Sequence, residues 1–524
     1  MRLLSILLGI LLLGPLSAGA NAAPDAPPTN AAVYAEAVSN LRHGHDFARC
    51  IQQLQYLAAR DSKNRDYHLA LGCADADRAA SLGYAAMWTK MLDDDRAKYP
   101  QSIADWQAAQ AEPKSDTHGD PCPDLPPLRT FVTKDDNHPF LMPVPQAIVQ
   151  INALARDAQA QWKRGLELSP TLALRAEAEN VQGWGLQEIR LLSSDRITDN
   201  STGLQDAITL PAPADVVRVF TAATKDAPTS AAYWQSLGDA QYNAPKNDGY
   251  VSRPDALVSY NKSLALQPKN ARLWFRVYRL TSSGSSNVGT ASPQNARSAL
   301  QHVVDSDPGN AYPRYLLAGL LFGQTHYSDP HDKNEETDRD KALAAEYDAK
   351  QQASAEAALA EIEKGNNCPR DAYPTYQPPY PALLSGFGIW DNLLRLSDGG
   401  SRDNAKLREL ARACGGYARI AAAHGDALGL QRGARAAIGM GMKMTGNWPV
   451  KDDGPGDSSV MAVLVGQAVV SIGYSDLVKG EGQIGDVPGM QAAQAEYDAF
   501  KQRETAYIAA RRQNMDAFSI YDDY

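Results

Sequence analysis

Pro228, Pro268 and Pro308 stand forty residues apart, and a period of that length confines the chain to repeated supersecondary units. Their neighbours keep the same measure. Ala256 lies twelve residues before Pro268 and Ala296 twelve before Pro308, while Trp234 lies six after Pro228 and Trp274 six after Pro268. Between the prolines, apolar residues recur at helical spacing: Ala296, Leu300, Val303 and Val304 share one face, and Leu316, Leu317, Leu320 and Leu321 share another on the next segment. Each unit therefore reads as two helices, the second stopped by its proline. A stack of such units also suits a chain of 524 residues, which is too long for one hydrophobic core.

Fainter copies flank the clear ones. One ends at Pro170, with Ala158 twelve and Trp162 eight residues before it, and another at Pro369, with Ala357 twelve before it. Farther on, Leu407, Leu410, Ala411, Cys414, Tyr417, Ala418 and Ala421 follow helical spacing, and His424 to Asp426 turn the chain into another amphipathic stretch. This last third is helical but shows no phase as repeats. Alternating strand patterns are missing throughout, so the expected class is all-α.

The order Trp234-x-x-Leu237-Gly238, then Ala256-x-x-x-Tyr260, then Pro268 resembles the tetratricopeptide pattern, W-x2-L-G, A-x3-F, P. Trp274, Ala296 and Pro308 carry the resemblance into the next unit. Gly238 and Ala256 are eighteen residues apart where the family pattern has twelve, and Tyr242 falls one place late. An inserted turn is therefore expected between the helices. The resemblance implies a superhelix of helical hairpins whose extended concave face holds peptides or other proteins, and the helical spacing farther on adds a C-terminal α-helical domain.

Punctuation divides the chain. Prolines at 113, 121, 123, 126, 127, 139, 143 and 145 mark residues 111–145 as a linker or wrapped loop, and residues 366–382 form a second proline-rich passage. The expected organisation is a leader over 1–22, an N-terminal helical segment over 23–110, the linker, repeats over 146–370 and a C-terminal helical domain over 371–524. The leader reading rests on Arg2, an apolar run from Leu3 to Leu13, Gly14-Pro15, and small residues permitting cleavage near Ala20 or Ala22. An exported chain, periplasmic or secreted, is expected.

That address bears on the five cysteines, which include no C-x-x-C. In an oxidising compartment Cys50 could pair with Cys73 and Cys368 with Cys414, leaving Cys122 over; equally, all five could be scattered thiols. A formal charge of -10 opposes nucleic acid as a partner, since phosphate binding needs a basic face.

Several stretches invite a chemical reading. Gly480 to Gly485, "GEGQIG", matches G-x-G-x-x-G in letters, but no strand precedes it and a plain loop is expected. His326, Asp329 and His331 offer metal-ligating side chains without helical or finger-like spacing, so a solvated polar loop is favoured. His43 and His45 are read as solvent-facing. Val460 to Tyr474 is apolar but short and interrupted by Gly466, Gln467 and Ser471, which suits a buried helix better than a membrane span. The nucleophile elbow, zinc helix and phosphate loop are all absent from the sequence, and no cofactor is expected.

Tyr373, Tyr376, Tyr380 and Trp390, interleaved with prolines, are the strongest binding signal, because rigid aromatic side chains lose little entropy on contact. The rival reading packs these rings over the last repeat. Together these features predict an exported scaffold or adaptor that binds a protein or peptide partner. A secreted enzyme or small-ligand binder, with its site in the C-terminal helical domain, is the alternative.

Overall fold

The computed structural model describes residues 29–42, 47–98, 144–191, 211–243, 253–282, 292–323, 349–371, 379, 381, 400–445 and 460–515. Among them the regular structure is sixteen α-helices. Twelve pack as successive hairpins: α1 (Asn30–Arg42) with α2 (Phe47–Arg60), α3 (Arg65–Lys98) with α4 (Val144–Glu167), and α5 (Leu172–Leu191) with α6 (Pro213–Asp226). Then come α7 (Ala231–Asn243) with α8 (Arg253–Leu266), α9 (Ala271–Ser282) with α10 (Pro293–Ser306), and α11 (Ala311–Phe322) with α12 (Ala349–Asn366). The all-α hairpin architecture expected from the sequence is the one observed.

The forty-residue period is a property of the helices themselves. α6, α8 and α10 start at residues 213, 253 and 293, and α7, α9 and α11 at 231, 271 and 311. Their core positions follow the same measure: Val216, Ala256 and Ala296 are buried one turn before Phe220, Tyr260 and Leu300, which are fully buried. α2 repeats this stripe with Cys50 and Leu54, and α4 with Ala158 and Trp162. The N-terminal helical segment thus carries a copy that lacks the proline.

What ends each second helix is a turn. Ala227 N donates to Ala223 O at 3.0 Å and Ser230 N to Ala227 O at 3.1 Å; the bonds from Gln267 and Asn270 and from Asp307 and Asn310 repeat this pattern. The same pair closes at Asp61 and Asn64, where Ser62 stands in the proline's place. The proline lies two residues beyond the helix end, so it stiffens the turn but does not itself stop the helix. Asn270 Oδ1 then accepts from Leu273 N at 3.1 Å and Asn310 Oδ1 from Tyr312 N at 3.3 Å, capping the helix that follows.

All five turns between hairpins, 61–64, 168–171, 227–230, 267–270 and 307–310, have the same length. Because helices alternate in direction, these turns gather at one edge of the stack. The helix ends that flank 43–46, 99–143, 192–212, 244–252, 283–292 and 323–348 lie at the opposite edge. The copy read back from Pro369 is corrected in phase: Ala357 is exposed, and the buried stripe of α12 is Ala355, Leu359 and Ile362. Residues 367–371 do not form the four-residue turn, which removes the basis for counting back from that proline.

The C-terminal helices repeat as well, with a different period. α13 (Gly400–Ala423) and α15 (Val460–Ile484) start sixty residues apart, as do α14 (Ala427–Met444) and α16 (Val487–Met515). Their turns are the same object. Gly425 and Gly485 sit at φ 70° and 80°, the left-handed conformation that closes a helix C-terminus. Asp426 Oδ1 and Asp486 Oδ1 accept from Gly429 N and Gly489 N, both at 2.9 Å. The loop expected at Gly480 to Gly485 is corrected accordingly: all but its last residue lie within α15, and Gly485 is that turn glycine. Val465, Val469, Val470 and Tyr474 are buried, as expected of an internal helix.

Among the described residues, apolar cores run from Ala37 to Ala240, from Ala256 to Val469 and from Ala418 to Phe500. The middle one passes from the hairpin stack into the C-terminal helices. Cys50 Sγ lies in the first core and donates to Ala37 O at 3.1 Å. The pairing of Cys368 with Cys414 is not made: both are buried thiols, and Cys368 Sγ donates to Lys364 O at 3.3 Å.

Candidate binding surface

The framework residues meet as their spacing suggests. Trp234 Nε1 donates to Pro228 O at 2.8 Å and Trp274 Nε1 to Pro268 O at 2.9 Å, which explains the proline-to-tryptophan interval. His68 Nε2 takes the same place against Ser62 O at 3.2 Å. Each tryptophan face is covered from the second helix of its own hairpin: Lys262 Nζ lies 4.1 Å from the Trp234 ring centre, and His302 stacks on Trp274 at 4.1 Å. Lys262 and His302 are themselves forty residues apart. At the third turn Pro308 O accepts instead from Cys368 Sγ at 3.5 Å. Leu237, Ala256 and Ala296 are buried in the cores.

Gly238 lies against Tyr260, and a Cβ at that glycine would fall 2.5 Å from the ring. Gly72 faces Trp162 at the same helix position, and Gly183 faces Phe220 one turn later in its helix. Beside Gly238 is a polar centre that the spacing did not announce. Tyr260 OH donates to Asp239 Oδ1 at 2.7 Å, and the Arg276 guanidinium lies 4.2 Å from the Tyr242 ring centre. Burial, with the Asp239 charge beside it, holds the Tyr260 hydroxyl pKa well above the ordinary tyrosine range. It therefore serves as a fixed donor. On α5, Asn180 Oδ1 and Gln187 Oε1 are buried without hydrogen-bond partners.

The other polar concentration joins the stack to the C-terminal helices. Asn310 and Arg370 form an isolated parallel bridge, with Ala311 N donating to Arg370 O at 2.9 Å, and Arg370 pairs with Asp307. Arg432 reaches back to Glu363 at 2.6 Å and also to Glu356, which accepts from Tyr417 OH at 2.7 Å. Lys443 Nζ donates to Cys368 O, and Asn366 Nδ2 to Ala436 O at 3.3 Å. Burial lifts the Asp371 carboxyl to about 6, with Lys443 opposing the rise.

This seam is where the proline-rich passage begins. Tyr373, Tyr376, Tyr380 and Trp390 follow it, and they lie outside the described residues, as do His326, Asp329 and His331, His43 and His45, Cys122 and the leader. Among the described residues no group of three or more His, Cys, Asp or Glu could hold a metal ion. No described helix is long and apolar enough to cross a membrane. The polar centre on Asp239 and the ion pairs on Arg432 were missed from sequence. Their signal was polar residues at core positions of helical stretches, which does not reveal the partner.

No protein-family model and no curated protein matches the chain.

Proposed function

We propose that the chain is an exported helical-repeat scaffold or adaptor, of tetratricopeptide type, which binds a protein or peptide partner. One observation carries this reading: successive hairpins keep one register along the stack. Stacks of this kind offer long surfaces whose use is recognition. The partner-binding aromatics in this reading are Tyr373, Tyr376, Tyr380 and Trp390.

The test is capture of the mature chain from crosslinked envelope extract, compared with a variant lacking residues 372–382. Residues 366–371 are kept because Asn366 and Arg370 are hydrogen-bonded into the fold. A stoichiometric partner lost in the deletion supports the adaptor and its surface. Retention of no protein by the full-length chain removes the reading.

A further inference from the structure

Two adjacent hairpins each bury a carboxyl group within range of another carboxylate's charge. Asp75 on α3 is 4% exposed and Glu179 on α5 is 5% exposed. The charge of Asp157 on α4 acts on Asp75, and that of Asp226 on α6 acts on Glu179. Glu179 Oε2 has no hydrogen-bond partner. Arg175 of the same helix, which is half exposed and lies 3.6 Å from Asp226, opposes the rise at Glu179. One partly solvated guanidinium thus serves two carboxylates, and Asp75 has a like charge acting on it.

The next hairpin treats its buried acid differently. Asp239 of α7 accepts from Tyr260 OH, with Arg276 acting on the same hydroxyl. Its charge has donors in place, whereas those of Asp75 and Glu179 do not. A carboxyl desolvated without donors is stable in its neutral form and costly in its ionised form.

We propose that the hairpins α3–α4 and α5–α6 form a pH-responsive segment of the stack, tight when Asp75 and Glu179 are protonated and loosened as the medium passes through neutrality. Burial, reinforced by the charge of the other carboxylate, lifts both groups to about 7, from ordinary values of 3.8 and 4.5. Their folded pKa values exceed their unfolded ones, so the unfolded chain releases these protons first. Stability from this source is full below about pH 4, falls as pH rises toward 7, and levels off above it. An exported scaffold would then hold its N-terminal half more firmly in an acidic compartment than in a neutral one.

Hydrogen–deuterium exchange on the full mature chain, followed by mass spectrometry at pH 5.5, 6.5 and 8.0 and scaled for the intrinsic exchange rate, tests this. Peptides from α3 to α6 are expected to open more readily by about tenfold per pH unit up to 7 for each carboxyl freed in the opening. Peptides from α8 to α10 are expected to hold constant. Asp75→Asn and Glu179→Gln should each remove their share of the dependence and leave α3 to α6 protected at pH 8.0. Equal responses in both regions, no response in α3 to α6, or an unchanged response in the variants overturns the proposal. So does unfolding of either variant, because the neutral form is required to be the tight one.

Discussion

Gly238→Ala and Gly319→Ala make the same change inside two helices of one stack, and the structure assigns them opposite signs. In an open helix, Ala gains up to about 1 kcal/mol over Gly from backbone entropy and solvent shielding. Gly319 on α11 has no atom within 4 Å of where its Cβ would stand, so that gain should appear nearly whole. At Gly238 the new Cβ would lie 2.5 Å from Tyr260, about 1 Å inside a normal carbon contact. Tyr260 is fully buried and its hydroxyl is tied to Asp239, so the ring has nowhere to retreat. Overpacking of this kind costs about 1–3 kcal/mol. With the middle of that range set against the propensity gain, Gly238→Ala should lose about 1 kcal/mol net. Urea unfolding with unchanged m-values separates the two cases, since only the midpoint should move. A Gly238→Ala protein as stable as the parent would refute the claim that hairpins close on these glycines, and a destabilised Gly319→Ala would refute the local accounting.

The two C-terminal turns should be interchangeable in energy: Asp426→Ala and Asp486→Ala are each expected to cost about 1 kcal/mol, read as matching drops in midpoint. Arg432→Met removes the ion pairs to Glu356 and Glu363; with the guanidinium about one third exposed, a loss of about 1 kcal/mol is expected. It should appear as non-coincident unfolding of the stack and the C-terminal helices, monitored by two site-specific probes.

Much of the stack was legible because the repeat is written in residues with one steric job. Ala256 and Ala296, Trp234 and Trp274, and three prolines mark places where only a small side chain, a ring donor or a fixed turn serves. The copy at α1–α2 escaped notice because Ser62 occupies the proline's place, and the turn's hydrogen bonds are made by backbone, which leaves no letter behind. The C-terminal duplication escaped for a related reason: its signature is the short Gly-Asp-x-x-Gly of Gly425 to Gly429 and Gly485 to Gly489, with unlike residues around it. The phase error at Ala357 came from trusting a proline that belongs to the seam. Of the candidate site, only the framework residues could be followed to their contacts. Asp239, Arg432, Asp75 and Glu179 look in sequence like any other charges on a helix, and their character comes from neighbours brought in by other helices.

The uniform four-residue turns have a consequence for how such a chain can change. They alone set the pitch from one hairpin to the next, so lengthening any of them would shift every downstream helix. The connections at the other edge bear no such duty. Their ends are already held together by packed helices, and each doubling of a flexible connection adds only about 0.6 kcal/mol of closure entropy. One edge of the molecule is therefore a gauge and the other a margin, where new sequence can be written at little cost to the helices that carry it.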